Sequence, residues 1–503
     1  MRSDGLSRSD GRAHLREVPA GGLERQPLQP LRADFRLQAH DEEALRPLVE
    51  ATYSLLARTG VKCHSPRGLG LFARAGAEVH EASGLVRLPR PLVDETLALA
   101  PRTFVLGSRD GATDLDLSSG QTYGTTDGCG TEVVDWRTGV RRPSTKSDLA
   151  DVSRLQDYLG SIAFWWPTVG AGDCGAAAQL HELEAGWSGT SKHLMGMVQG
   201  ETLARYAVEM AAAVAGARPG GHAAVLSDLI GTVSPLVLDA EGTEAGIVFA
   251  QAGVPVCYVT MPSLGTTAPA TQAGTLVVGA AEIVAAAVLH QLAAPGAPVW
   301  GSIMPVYADP RTAGTMTAPL DDRCRFAATE LLHAFGLPSL GAFGGTDSAA
   351  PGTWQAGVEQ CLQLMQLPLD GCETYTGIGL HDTYRVFAAE DLILDDDLYH
   401  RARCAFLDVA TDAEALALDA IDAVGPGGSF LAHAHTRHHM RDTVVRAVTQ
   451  QIAPDGRHYR DACEVARERA LHVLTHYRPA PLPDDVRREL ARLVVAAERA
   501  LQR

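Results

Sequence analysis

Two clusters in this chain hold the side chains whose chemistry is easiest to name. The first is Gly344-Gly345-Thr346-Asp347-Ser348. An apolar run, Pro338 to Phe343, precedes it, and a helical pattern from about Trp354 to Leu367 follows, so the cluster reads as the loop between a strand and a helix. Paired glycines strip bulk from the backbone where it meets a ligand, or they form an ordinary tight turn. On the first reading Gly344 and Gly345 let the backbone meet whatever fills the mouth, and Asp347 is a polar candidate just past the strand end. The second cluster is His433, His435, His438 and His439. His435 and His439 have helical i, i+4 spacing, and His433 and His435 have strand spacing, both usable by a metal. No HExxH and no neighbouring Cys or Asp completes a ligand set, so no metal is assigned. A histidine that faces a substrate or a protein partner is the other use.

Aromatic residues form a third group, few but concentrated near the strands: Tyr123, Trp165, Trp166, Trp187, Trp300, Tyr307, Phe343, Trp354 and Tyr375. A quaternary ammonium cannot donate hydrogen bonds, and aromatic faces beside a carboxylate are what it needs. The alternative is that these rings only fill a core. Trp165 and Trp166 are adjacent, so on a strand they point to opposite faces and one of them faces inward. Other chemistries lack their parts. There is no GxSxG, and Lys192 stands at the start of its strand, the wrong end for a Schiff base. Polar residues just past the strand ends complete the candidate set: Asp127, Glu201, Ser234, Thr266, Thr267, Tyr307, Asp309 and Asp347.

The elements that must position these residues follow a regular alternation. Strands are expected at 121–125, 162–169, 193–198, 223–231, 255–261, 298–304, 338–343 and 372–376, with helices between them and Gly or Pro at most junctions. Eight strands and seven helices are the count of an α/β chain closed as a (β/α)8 TIM barrel, whose site lies at the C-terminal ends of the strands. An open doubly wound sheet is the second possibility, though no strand leads into a GxGxxG or P-loop. The expected organisation is a disordered extension (1–35), an N-terminal helix-and-hairpin domain (36–118), the barrel (119–380) and a C-terminal helical region (381–503). In that last region Asp395-Asp396-Asp397 reads as a solvated helix end, with a cation site as the alternative.

Composition sets limits on function. The net charge of −17 argues against a nucleic-acid partner. Nine scattered cysteines without a CxxC point to neither disulfides nor a metal framework, and a reducing cytoplasm is the expected location. The longest apolar stretch, Leu276 to Leu289, contains Glu282 and reads as a buried helix, with no membrane role.

Seven short motifs in order carry a resemblance. They are Arg141-Arg-Pro-Ser-Thr, Thr190-Ser-Lys-His, Val233-Ser-Pro-Leu, Thr260-Met-Pro-Ser-Leu-Gly-Thr-Thr-Ala-Pro, Pro295-Gly-Ala-Pro-Val, Gly344-Gly-Thr-Asp-Ser, and Gly425-Pro-Gly-Gly-Ser-Phe-Leu with His435-Thr beyond it. Together they resemble the trimethylamine methyltransferase family. The resemblance implies a barrel that moves a methyl group from an amine to the cobalamin cobalt of a separate corrinoid protein, with no cofactor held tightly by this chain. Founding members carry pyrrolysine, an electrophile for trimethylamine, at the position Gly345 holds here. The glycine makes the chain similar to members that act on quaternary amines such as glycine betaine, whose leaving group is already a neutral tertiary amine. The expected substrate is therefore a small, betaine-like quaternary amine. Asp347 and His435 would be polar walls, Trp165, Trp166, Trp300 and Tyr307 the pool for an aromatic cage, and Arg311 or His435 the holder of a substrate carboxylate. Gly345 is expected to face open space. A homo-oligomer is compatible with this reading. A non-catalytic onium-binding protein and a lyase or metal-assisted hydrolase on the same scaffold remain the alternatives.

Overall fold

The computed structural model describes residues 23–217, 224–312, 314–317, 321–342, 345–443 and 447–502. Eight parallel strands run through it: β1 Tyr123–Thr126, β2 Phe164–Trp165, β3 His193–Gly196, β4 Leu226–Gly231, β5 Val256–Thr260, β6 Val299–Ile303, β7 Leu340–Ala342 and β8 Thr374–Ile378. Each overlaps the strand expected from sequence. Strands β2 to β6 pair side by side as one parallel sheet, and β7, β8 and β1 pair as a second. The two sheets meet at both edges. Gly301 N on β6 donates to Pro338 O before β7 (3.0 Å), and Ala163 N before β2 donates to Gly124 O on β1 (2.6 Å).

Helices follow the strands: α1 Lys146–Tyr158, α2 Ala178–Gly189, α3 Glu201–Gly216, α4 Ala240–Ala252, α5 Gln272–Ala293, α6 Asp321–Ala334, α7 Trp354–Asp370 and α8 Ala389–Cys404. Local chemistry sets their ends. Thr145 and Asp148 form a capping box at the start of α1, and Thr353 caps α7 by accepting from Ala356 N. Gly253 ends α4 in the left-handed conformation (φ 70°) that glycine adopts freely. Helix α5 is apolar on every side because it is packed on every side, and it is the buried helix expected from sequence.

Side chains sort by strand parity. Phe164, Trp166, Met195, Leu229, Cys257, Trp300 and Leu340 pack into one cluster on the inner face, while Trp165, Leu194, Ile230 and Tyr258 join the larger cluster that faces the helices. Lys192 is buried, and its Nζ donates to the carbonyls of Gln156 (2.6 Å), Leu159 (2.7 Å) and Ile162 (2.6 Å), tying the end of α1 to β2 and β3.

Two expectations need correction. Residues 1–22 lie outside the described part, but from residue 23 the chain is not a disordered extension. Leu31 is fully buried and bridges to Thr122, and Gln26 N and Gln29 N donate to Tyr158 O and Gly160 O. The acidic run is not solvated either. Glu390, Asp391, Asp395, Asp396 and Asp397 are all buried. Each holds a different segment. Asp391 meets His381 Nδ1 (2.6 Å), Asp395 accepts from Gly379 N (2.8 Å), Asp396 accepts from Ser161 Oγ (2.5 Å), and Asp397 accepts from Val448 N and Thr449 N (2.7 Å each). With oxygens committed to protein donors, the run clamps helix α8 to its surroundings. Helix α8 packs on α7 and below β8, so residues 381–404 continue the strand-and-helix alternation past the boundary expected at 380.

Candidate functional site

The C-terminal ends of the strands bring together residues far apart in sequence. Strand β1 ends in Asp127-Gly128-Cys129. Asp127 is half-buried; its Oδ1 accepts from Gly128 N (2.9 Å) and its Oδ2 from Gly345 N (3.3 Å). Burial pushes its carboxyl up to about 6, against which these two amides pull the other way. Cys129 adopts a left-handed φ of 66°, and its Sγ lies 3.0 Å from Met197 Sδ at the end of β3. The Cys129 side chain reaches solvent, and desolvation together with the charges of Glu182 and Asp127 pushes its thiol up to about 12. Glu182, on α2, accepts from Ala171 N (3.0 Å), and its carboxyl is also raised by burial.

Gly345 and Asp347 stand opposite. Asp347 Oδ2 accepts from Thr317 N (2.6 Å) and Oδ1 from Thr383 Oγ1 (3.4 Å). Burial raises Asp347 too, helped by the charge of Glu359, which itself accepts from Thr346 Oγ1 (2.5 Å) and Asp347 N (3.0 Å). Gln363 on α7 donates to Gly345 O (3.4 Å) and accepts from Arg325 (3.2 Å). The loop after β8 seals this side. Asp382 N donates to Ser348 O (2.7 Å) and Thr383 N to Thr346 O (3.1 Å). Asp382, Thr383 and Tyr384 all hold left-handed φ values of 53°, 55° and 64°. Such backbone costs about 1–3 kcal/mol per residue and persists where the surroundings enforce it, commonly at sites of function. Tyr384 lies among Asp127, Asp347 and Arg325, whose charges act on its hydroxyl.

Trp166 is the inward member of the tryptophan pair, and its ring lies where a Cβ on Gly128 would be, 2.8 Å away. Its indole Nε1 is buried without an acceptor. Tyr307 is half-buried on a hairpin beyond β6, and its hydroxyl accepts from Gln272 Nε2 (2.9 Å).

Several sequence expectations are corrected here. Trp165 faces the helices and donates to Ser153 Oγ (2.8 Å). Trp300 is the second residue of β6, fully buried, and packs on Phe104 with centroids 5.5 Å apart, so it is core and not cage. Arg311 sits at the tip of the hairpin with its side chain 86% exposed and paired to Asp309. His435 lies on a separate helix, Ala434–Thr443, with its ring 4.2 Å from His439. Nothing draws Arg311 or His435 to the strand ends. Gly345 does not face open space, because a Cβ there would stand 2.8 Å from Leu380 O. Phe343 and Gly344 lie outside the described residues. Ser234 is committed to Glu282 (2.9 Å), and Glu201 pairs with Arg205 at the start of α3. Sequence reasoning missed Glu182 and Tyr384. Glu182 is a helix residue with no positional signal; Tyr384 follows the last strand, where a search of strand ends extended past β7 would have found it.

The chain has relatives of known activity. The family model described as Trimethylamine methyltransferase (MTTB) matches residues 8–501. The chain is similar to trimethylamine methyltransferase MttB of Desulfitobacterium hafniense, 30% identical over 477 residues that cover 92% of this chain and 95% of the relative. It is 26% identical over 454 residues to a glycine betaine methyltransferase of the same species, covering 88% and 94%. Among solved structures it is similar to the Methanosarcina barkeri monomethylamine methyltransferase, with a TM-score of 0.48, 11% identity and coverage of 93% and 89%.

Proposed function

The chain belongs to the trimethylamine methyltransferase family, and from that membership we propose that it moves a methyl group from a small quaternary ammonium compound to the Co(I) of a corrinoid carried by a separate protein. Named relatives act on trimethylamine and on glycine betaine, both methylated amines. The observation that carries the reading is the composition of the strand-end cluster. Among the described residues it offers carboxylates and an aromatic ring, and no base there is hydrogen-bonded to a nucleophile. That suits a substrate already activated. The electron pair of Co(I) forms the new bond to the methyl carbon as the carbon–nitrogen bond breaks, and the carbon–nitrogen bonding pair leaves as the lone pair of a neutral tertiary amine. No proton moves, so the protein need only bind the cation, aim one methyl outward and exclude water. Gly345, at the position the resemblance gives to an electrophilic residue, has no group to capture a free amine.

The corrinoid acts here as a second substrate. Met197, Met261 and Met304 stand at the ends of β3, β5 and β6, and Met261 is 59% exposed. A flexible thioether rim fits the edge of a flat macrocycle. The eight parallel strands, with hydrogen bonds at both sheet edges, support reading the scaffold as a closed (β/α)8 barrel whose mouth is this site. The nine cysteines are free thiols, which supports a place in a reducing cytoplasm. The test is spectrophotometric: protein, cob(I)alamin and a panel of quaternary amines should give the methylcob(III)alamin spectrum and the tertiary amine. Binding of these amines without either product would make the chain a binding protein.

A further inference from the structure

The eight connections that lead from a strand's C-terminal end to the next helix contain six basic side chains: Arg137, Arg141, Arg142, Arg311, His381 and Arg385. Every one is matched by an acid of its own chain. Arg137 pairs with Asp151, Arg141 with Glu132 and Asp382, and Arg142 with Asp135 and Asp148. Arg311 pairs with Asp309, His381 with Asp391, and Arg385 with Asp382. One further basic side chain, Arg325 on α6, is buried beside Tyr384 and donates to Gln363 Oε1 (3.2 Å). Three carboxylates on the same face show the opposite condition. Asp127 accepts only backbone amides, Glu182 accepts from Ala171 N, and Asp347 accepts from an amide and a hydroxyl. Among the described residues none of the three has a basic side chain within ion-pair distance. Gly345 donates to Asp127 and lies against Tyr384, whose neighbour Thr383 donates to Asp347, and Glu182 lies against Gly170, whose amide donates to Gly130 O three residues beyond Asp127.

Half-buried negative charge without a counter-charge is costly, and a bound cation relieves it. A carboxylate on the ligand would add a like charge and find no uncommitted partner in those connections. A second observation points to a ligand independently. Trp166 is 6% exposed, lies against Gly128, the residue next to Asp127, and has an indole N–H with no acceptor. An uncharged oxygen on the ligand would satisfy it, and the ring face suits an onium methyl. We propose that the site selects a small organic cation that carries no carboxylate, with Asp127, Glu182 and Asp347 as its counter-charge and Trp166 as its aromatic wall. This rests on the methyl-transfer reading for the site's location, and it narrows the betaine-like substrate expected from sequence to a choline-like one.

The experiment is calorimetric titration of the full chain without cobalamin, using choline, tetramethylammonium, glycine betaine and 3,3-dimethylbutanol, the neutral isostere of choline. Both cations should bind at least about tenfold tighter than glycine betaine. Asp127→Asn should weaken choline about tenfold and leave 3,3-dimethylbutanol unchanged; Glu182→Gln should act in the same direction, and it serves if Asp127→Asn melts abnormally. Glycine betaine binding as tightly as choline, or equal losses for choline and its neutral isostere, overturns the inference. The outcomes separate from those of methyl transfer. Selective cation binding without methyl transfer keeps this inference and loses that function, whereas preferred demethylation of glycine betaine keeps the function and loses this inference.

Discussion

Replacing Gly345 by alanine places a Cβ 2.8 Å from Leu380 O, 3.4 Å from Tyr384 Cδ1 and 3.5 Å from Asp127 Oδ2. The last two are ordinary contacts. The first is not, and its partner is a backbone carbonyl that has no rotamer to change. Either the loop after β7 or the short antiparallel pair Leu380–His381 with Val386–Phe387 must shift by a few tenths of an ångström. Overpacking of this kind costs about 1–3 kcal/mol, a fall of a few degrees in melting temperature. The shift also strains the Gly345 N–Asp127 hydrogen bond, so ligand affinity falls along with stability. Gly345→Leu adds three more carbons to the same crowded space and should fail to fold or melt far lower. Scanning calorimetry, with ligand titration on the alanine variant, checks both parts. A leucine variant that melts like the parent and loses only turnover would refute the packing argument and restore an open cavity at this position.

Further outcomes follow from the same geometry. Burial raises Asp127 to about 6, above the unfolded carboxylate range; its contribution to stability is therefore fully present below about pH 4 and is lost as pH rises through about 6. A bound cation pairs with the ionised form, so choline should bind about tenfold tighter at pH 7 than at pH 5, with Glu182 and Asp347 shifted in the same direction; a flat profile would exclude a buried carboxylate as partner. Trp300→Leu should lower the melting temperature without changing cation affinity, while Trp166→Leu should weaken the cation about tenfold; the reverse pattern in calorimetry would exchange their roles. Arg311→Ala and His435→Ala should leave kcat and KM within about twofold of the parent, since neither reaches the strand ends, and a large loss in either would place it at the site.

The order of strands and helices was legible because most strands are short apolar runs closed by Gly or Pro, and because caps such as Thr145 and Asp239 mark helix starts. Asp127 and Asp347 were found by one rule, that polar residues just past a strand end face the site. The same rule misled at Arg311, because the hairpin Tyr307–Ala308 with Thr315–Met316 carries that residue away from the strands. Charge runs were misread for a physical reason. Sequence shows that Asp395-Asp396-Asp397 is acidic but not that Gly379 N, Ser161 Oγ and Val448 N wait for those oxygens. The contact of Gly345 with Leu380 O lay outside reach for the same reason, since it joins two loops across a register that only the fold sets. The parity argument for Trp165 and Trp166 needed only strand geometry and held.

The central claim is methyl transfer from a quaternary cation without covalent capture. A single-turnover reaction with cob(I)alamin and choline deuterated in all three N-methyl groups, read by mass spectrometry of the cobalamin product beside a parallel reaction with trimethylamine, tests it most directly. The account predicts a methylcobalamin heavier by three mass units from the labelled cation, dimethylaminoethanol in equal amount, and no methylcobalamin from trimethylamine. Turnover of trimethylamine at the rate of any quaternary amine, or an unlabelled cobalamin product, would contradict it.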